Sequence, residues 1–408
     1  MHSDPQARRS PWLAVGGMCG VYFSFGLTIG VMGPLVDEIS TELELSRSTM
    51  GSILGAWALI YIFTSVPAGT VVDRLGLRWS LALGSLSIAA TLFLRSLAGG
   101  PISLFAAVAV FGIGGPLVSI ASPKLIASLF EEDHRRFPTG LTVAAPTLGT
   151  AIALAITNPV LLPLFDGRWR PVVVLIGVVS LVAGAGWLYA SRAVAHLPQD
   201  NARPGLSTVG RLLKLQPMRL ILLISVCSFF LSHSLTAWLP EILADSGQSD
   251  NAAGYLAAIS VTVGIVGALT IARLTPNNRR ATTLVAIFLV IGTMVMSLTL
   301  VPVGLVVIAL GVLGFARAGV IPMLFLEIMG DDDIGLADIG AATGLFFAIA
   351  QLGGFSGPYA VGFVADRTDG FTAATVLLAL VALAAAVLAL MLRSSRSLQS
   401  ASGTTDLY

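Results

Sequence analysis

The 408-residue chain is 55% hydrophobic and 11% charged, with a mean hydropathy of +0.89. A water-soluble domain carries about 25% charged residues, so 23 basic and 22 acidic side chains are too few to coat one of this size. The net charge of +1 leaves no electrostatic footprint for nucleic acid. The two cysteines, Cys19 and Cys227, both lie inside apolar runs and give neither a disulfide framework nor a metal-binding pattern. The composition is that of a polytopic, all-α membrane protein.

A helix crossing a ~30 Å hydrocarbon layer needs about 20 mostly apolar residues. Charge clusters and Pro/Gly breaks divide the chain into twelve such runs, near 12–36, 48–72, 78–97, 101–129, 138–165, 170–191, 218–243, 252–274, 280–301, 303–329, 338–364 and 370–392. The first is too long for a signal-peptide core and continues into the multi-span pattern, so it reads as a retained helix. Placing the N-terminus inside puts seventeen Lys and Arg on the cytoplasmic side and five (Arg47, Arg95, Arg168, Arg170 and Arg367) on the other. That bias predicts both termini to be cytoplasmic, in a multi-pass protein of the cytoplasmic (inner) membrane.

The longest polar break, with Arg192, His196, Pro198, Asp200, Pro204, Arg211 and Lys214, falls between spans six and seven. The expected organisation is therefore a six-helix bundle over 1–191, a cytoplasmic linker over 192–217, a second bundle over 218–396 and a polar tail over 397–408. The halves rhyme weakly at a spacing of about 200 residues: Thr139-Gly140-Leu141 opens span five, and Thr343-Gly344-Leu345 lies in the opening turns of span eleven. Acidic runs follow spans four (Glu131, Glu132, Asp133) and ten (Asp331, Asp332, Asp333). Two parallel repeats about an axis along the membrane normal would give this pattern.

Between spans two and three stands Gly69-Thr-Val-Val-Asp73-Arg74-Leu-Gly76-Leu-Arg78. This G-x-x-x-D-R-x-G-x-R string resembles the signature loop of the major facilitator superfamily of secondary transporters. The resemblance implies that Gly69 allows close helix packing and Gly76 a tight turn, with Asp73 and the arginines Arg74 and Arg78 forming an ion-pair latch between the halves. The second-half counterpart, Arg273 to Arg280, lacks the acid and the turn glycine. Trp238-Leu239-Pro240, Leu94-Arg95-Ser96 and Gln351-Leu-Gly353 with Gly357-Pro358 are similar to the bacterial cyanate and nitroimidazole transporter-like branch. The polar Asn-x-Arg cluster of that branch's first span is replaced here by Val21-Tyr22-Phe23-Ser24-Phe25-Gly26.

The resemblance implies two pseudo-symmetric six-helix bundles, with spans one, four, seven and ten around a central cavity and three, six, nine and twelve facing lipid. The interiors of those last four are read as free of charge. A charge within hydrocarbon costs at least ~2.5–3.5 kcal/mol, which makes Arg317, near the centre of span ten between Gly314 and Gly319, the outstanding residue. Its planar fork suits a carboxylate or similar oxyanion; a buried salt bridge, or pairing with polar neighbours and water, is the structural alternative. His233, near the centre of span seven, is either a hydrogen-bonded helix residue or a substrate contact and proton carrier. Tyr22, Ser24, Tyr61 and Gln351 are further candidate ligand contacts that would equally serve contacts between helices. Lys124 is expected to snorkel to the surface.

These features predict a secondary transporter that moves a small carboxylate-like anion by alternating access, coupled to protons and monomeric in the bilayer. The alternative is an exporter of amphipathic metabolites or drugs. A membrane enzyme would need clustered acids, histidines or an activated nucleophile, and a nucleotide-driven pump a phosphate-binding loop; the sequence has neither. No cofactor or metal is expected.

Overall fold

The computed structural model describes all residues except 1–4, 132–133, 195–205, 299–302, 332, 335–337 and 404–408. The middle of the expected linker, the acids Glu132, Asp133 and Asp332 and the end of the tail therefore lie outside the described residues. Twelve long helices carry the chain across a membrane: α1 (Pro5–Gly30), α2 (47–75), α3 (77–96), α4 (Pro101–Leu129), α5 (Arg136–Ile156), α6 (Trp169–Ala190), α7 (Gln216–Asp245), α8 (Asp250–Leu274), α9 (Arg280–Ser297), α10 (Val303–Met329), α11 (Ile339–Thr368) and α12 (Thr372–Gly403). Among the described residues there is no strand.

Local chemistry sets the breaks. Gly76 divides α2 from α3 with φ 77° and ψ 166°, a backbone conformation that only glycine adopts without strain. The first crossing continues past α1 through a turn at Gly33–Leu35 into a short helix, Val36–Glu42. A further short helix, Leu206–Leu212, precedes α7.

The outer faces are apolar, as a lipid-facing surface requires. On α12, Leu380, Leu383, Val387 and Leu390 are exposed at helical spacing, and α6 exposes Val178, Leu181 and Val182 in the same way. Within the first bundle α1 packs on α5 and α6, and α3 on α4 and α6; in the second, α7 packs on α11 and α12, α8 on α10 and α9 on α12. Between the bundles, α2 lies along α11 and α5 along α8.

Those two seams close one side of the membrane, the side away from the arginine-rich loops. A Cβ on Gly51 would come within 2.3 Å of the Pro358 carbonyl, so α2 and α11 touch through bare backbone. At the end of this seam the Asp366 carboxylate of α11 accepts hydrogen bonds from the Arg47 and Ser48 amides at 2.9 and 2.7 Å, capping the free N–H groups of α2 from the opposite half. The Arg47 guanidinium also lies 5.4 Å from the centre of the Phe371 ring. Gly33 meets the Thr236 and Ala237 carbonyls of α7, and Asn158 donates to the Asp250 carbonyl at 3.3 Å. On the arginine-rich side, Asp73 pairs with Lys124 inside the first half, and Arg211 of the linker pairs with Asp338 of the second.

The Asp366 cap gives the sealed side a testable latch. Losing a helix cap costs about 1 kcal/mol, which corresponds to roughly a fivefold change in an opening equilibrium. In a background carrying Cys19→Ser and Cys227→Ser, a Leu54→Cys probe at the inner face of the seal is expected to react about fivefold faster with a membrane-impermeant maleimide added from the sealed side once Asp366→Ala is introduced. An unchanged rate would show that the cap does not hold the seal.

Candidate functional site

Between the two bundles lies a cavity of about 880 Å³, within the range of small-molecule sites. Its blind end is formed by Met32 and Gly33 of the first crossing, Leu54 of α2, Thr236 and Ala237 of α7 and Pro358 of α11. Its other end runs out between α5 and α8 past Phe137, Gly140, Leu141 and Leu269 toward the arginine-rich side, where Phe137 and Leu269 are exposed. The cavity is thus closed on one side and open on the other.

Most of the wall is apolar and aromatic. The Trp57 ring stands 5.4 Å from Phe111 and 5.0 Å from His233, so the indole bridges the two halves. His233 Nδ1 is 3.0 Å from the Phe229 carbonyl one turn back, which makes Nδ1 the protonated nitrogen and leaves Nε2 without a hydrogen-bond partner among the described residues.

Two guanidinium groups face into this apolar enclosure. Arg317 of α10 donates from Nη1 to the Ser232 carbonyl at 3.2 Å and to the Thr236 hydroxyl at 3.4 Å, both on α7. Arg95 of α3 donates from Nη1 to the Thr28 carbonyl of α1 at 3.2 Å, and its Nε has no partner. Neither arginine makes an ion pair among the described residues. Small residues make the approach possible. A Cβ on Gly314 would lie 1.8 Å from the Ser260 carbonyl, so α10 presses directly on α8, one turn before Arg317.

The loop between α2 and α3 is built differently from its expected form. Gly76 does make the tight turn, but Asp73 pairs with Lys124 of α4 at 2.5 Å rather than with Arg74 or Arg78. Both partners belong to the first half, so the pair ties that half together instead of latching one half to the other. Lys124 has a carboxylate within reach and does not simply extend to the surface. Gly69 has open space where its Cβ would be and supports no close packing. Arg74 is exposed, and Arg78 lies 5.5 Å from the centre of the Trp79 ring.

The sequence matches the family model of the Major Facilitator Superfamily over residues 18–331. The chain belongs to that superfamily. It is 24% identical over 395 residues to the uncharacterized transporter YycB of Bacillus subtilis (strain 168), covering 92% of each chain. It is also 22% identical to the hexuronate transporter of the same organism (86% of each chain) and 23% identical to the D-galactonate transporter of Escherichia coli O6:H1 (86% of this chain and 88% of that one). Among solved structures, a bacterial homologue of the human lysosomal transporter Spinster, in an inward-facing and unoccupied conformation, superposes with a TM-score of 0.70 at 14% identity over 96% of both chains. The twelve-helix fold is therefore that of a major facilitator transporter.

In this major facilitator fold the candidate residues divide into two groups. Arg317 and His233 line the cavity, with Trp57 between the halves. Tyr22, Ser24, Tyr61 and Gln351 are not part of the cavity wall. The Tyr22 hydroxyl donates to the Val118 carbonyl at 3.4 Å, and the buried Ser24 donates to the Gly20 carbonyl at 3.1 Å. Tyr61 is buried against Gly115, and Gln351 is buried at the α7–α11 seam, where Gly354 keeps clear of both its Oε1 and the His233 ring. Tyr22 and Tyr61 make the helix-to-helix contacts offered above as their alternative role, whereas Ser24 bonds within its own helix and Gln351 Oε1 has no hydrogen-bond partner among the described residues.

The sequence pattern assigns Arg95 to the loop charges of the far side and leaves span three uncharged within the membrane. The structure corrects both points: Arg95 is 2% exposed and reaches the cavity. The missed signal is directional. Side chains on a helix lean toward its N-terminus, and α3 runs toward the sealed side, so an arginine in its last turn folds back into the membrane.

The close approach at Gly314 supports a stability prediction. Gly314→Val places methyl groups where the Ser260 backbone stands, an overpacking that costs about 1–3 kcal/mol. It is expected to lower the thermal unfolding midpoint in detergent, whereas Gly140→Ala, which adjoins open space within a helix, does not lower it, because alanine favours a helix over glycine. Equal midpoints for the two variants would show that α8 and α10 are not held at this spacing.

Proposed function

We propose that the protein is a proton-coupled secondary transporter that carries a small carboxylate-like anion across the cytoplasmic (inner) membrane by alternating access. The observation that carries this reading is Arg317: a guanidinium that, among the described residues, has no acidic partner and bonds only to α7, in a cavity closed on one side and open on the other. A fixed positive charge in apolar surroundings attracts an anion strongly because little water is left to screen it, and the fork offers two parallel donors to a carboxylate. The names of several relatives point the same way, since hexuronate, D-galactonate, galactarate/D-glucarate and sulfoacetate are all organic anions.

The positive-inside bias places both termini and the open end of the cavity in the cytoplasm, so the conformation reads as inward-facing. Residues 1–191 and 218–396 serve as the two rocking bodies and 192–217 as their connection. One chain walls the whole cavity, which makes the monomer the working unit. Gly69, Asp73, Arg74, Gly76 and Arg78 form the conformational loop, acting through the Asp73–Lys124 pair.

His233 supplies the coupling. Its free Nε2 is available to a proton, and its neighbours Ser232 and Thr236 hold Arg317. A second positive charge beside Arg317 is unfavourable in this wall unless an anion sits between them. Proton and anion therefore favour each other's binding, which is the requirement for symport.

Uptake by proteoliposomes across a panel of small organic anions, with and without an inside-alkaline gradient, tests the proposal. Arg317→Ala and Arg317→Lys are expected to reduce anion uptake at least about tenfold, because a point charge does not replace a bidentate fork. His233→Ala is expected to retain anion binding but lose the acceleration by the gradient. Wild-type uptake by the Arg317 variants would refute the anion site, and acceleration that survives His233→Ala would remove the histidine from coupling. Preferential transport of hydrophobic cations would replace this reading with that of an amphipathic-compound exporter.

A further inference from the structure

The cavity holds more positive charge than one carboxylate neutralises. Arg95 and Arg317 come from different halves, and each is anchored by one Nη1 to a main-chain carbonyl of the facing helix, Thr28 on α1 and Ser232 on α7. Those two carbonyls are equivalent positions. They are 204 residues apart, the same interval that separates Thr139 from Thr343 in the repeated Thr-Gly-Leu. They also sit at one depth: Gly33 of the first crossing rests on the Thr236 and Ala237 carbonyls of α7, and both Thr28 and Ser232 lie four or five residues before that contact on helices running the same way. Two cavity-lining guanidiniums, one from each bundle and neither ion-paired among the described residues, are therefore held by carbonyls at a common level.

A single monoanion bound at Arg317 would leave Arg95 as an uncompensated charge, 2% exposed and with an Nε that has no partner among the described residues. Burying such a charge is costly unless something completes its hydrogen bonds. From this geometry we infer that the transported solute is a dianion, with one acidic group on Arg317 and the second directed at Arg95, so that the bound molecule spans the interface between the bundles. The inference rests on the anion-site reading above and adds the charge class of the substrate and a second specificity-determining residue.

A dianion that joins the halves also meets a geometric condition. Its two ends engage groups that are fixed to different rigid bodies, so binding is sensitive to how the bundles are arranged. A monoanion held by Arg317 pairs its charge only with the second half. Arg95 thus discriminates between diacids and monoacids, while Arg317 is required by both.

The test is calorimetric titration of the purified full-length protein with straight-chain dicarboxylates from malonate to adipate and with the monomethyl ester of each. For at least one chain length, wild-type protein is expected to bind the diacid at least about tenfold tighter than its half-ester, the usual effect of a charge-assisted hydrogen bond. Arg95→Gln is expected to bring that ratio close to one, with Arg95→Lys keeping part of the preference, and Arg317→Gln to weaken both ligands. If wild-type protein binds every half-ester as tightly as its diacid while Arg317→Gln still abolishes binding, the dianion inference fails and the anion site stands. An undiminished ratio in an Arg95→Gln protein that elutes and melts like wild type also overturns the role of Arg95. Should Arg95→Gln fail to fold, the wild-type diacid-to-half-ester ratio decides the inference alone. Absence of any binding that depends on Arg317 overturns both readings together.

Discussion

A charged group inside a membrane protein must obtain from the protein what water would otherwise supply, and the interior of this transporter is organised around two such groups. Among the described residues neither guanidinium has an acid, so each depends on main-chain carbonyls whose second lone pair remains available after the helical hydrogen bond is made. Arg95 uses the carbonyl of Thr28 and Arg317 that of Ser232. Both contacts require α1 and α7 to stand close to the cavity, which sets how the remaining helices are arranged. Neutralising either arginine with a permanent carboxylate would satisfy it more fully, but would also remove the charge from the cavity.

Close helix spacing follows from that requirement. Side-chain packing alone would keep helix axes 8–10 Å apart and hold carbonyls away from neighbouring side chains. Glycine at the contact points allows backbone to meet backbone, as Gly314 does against Ser260 and Gly51 against Pro358. The two sites act at different levels of the structure. The first delivers Arg317 to the cavity within one bundle; the second joins the bundles and closes the far side. The Asp366 cap then adds polar complementarity to a seam that is otherwise held by contact between small residues.

The features legible in the sequence were those with a local or one-dimensional signature. Apolar run length gave the twelve crossings, and a glycine at position 76 in a polar loop gave the turn. A lone arginine mid-span, Arg317, was enough to mark the cavity. Features that depend on direction or on distant partners were not legible. Arg95 stands one residue from a helix end, where a side chain could point into a loop or back into the membrane, and composition does not distinguish these. Asp73 and Lys124 are 51 residues apart, with Arg74 a nearer and more obvious partner for the acid. Asp366 resembles an ordinary loop charge because the amides it caps belong to the other half of the chain. Tyr22, Ser24, Tyr61 and Gln351 show the converse: polar residues at the right depth that do not line the cavity.

Scaffold and charge obey different symmetries in this chain. At the 204-residue interval Thr28 corresponds to Ser232, and Asp73 to Asn277. Asn277 accepts from Arg280, which in turn donates to the Leu326 carbonyl of α10, so the second half ties its loop to the cavity helix by hydrogen bonds where the first half uses the Asp73–Lys124 ion pair. The arginines do not follow this rule. The position matching Arg317 in the first half is Ile113, and that matching Arg95 in the second is Thr299. A strictly symmetric pair would place both charges on equivalent helices and so offer two like ends to a ligand. Here one guanidinium arises from the centre of a cavity helix and is partly accessible, while the other folds back from the end of a peripheral helix and is almost fully covered. The repeat supplies matched carbonyls at one depth, and the departure from the repeat makes the two ends of the site unequal, which is what a site must have to bind an asymmetric solute in one orientation.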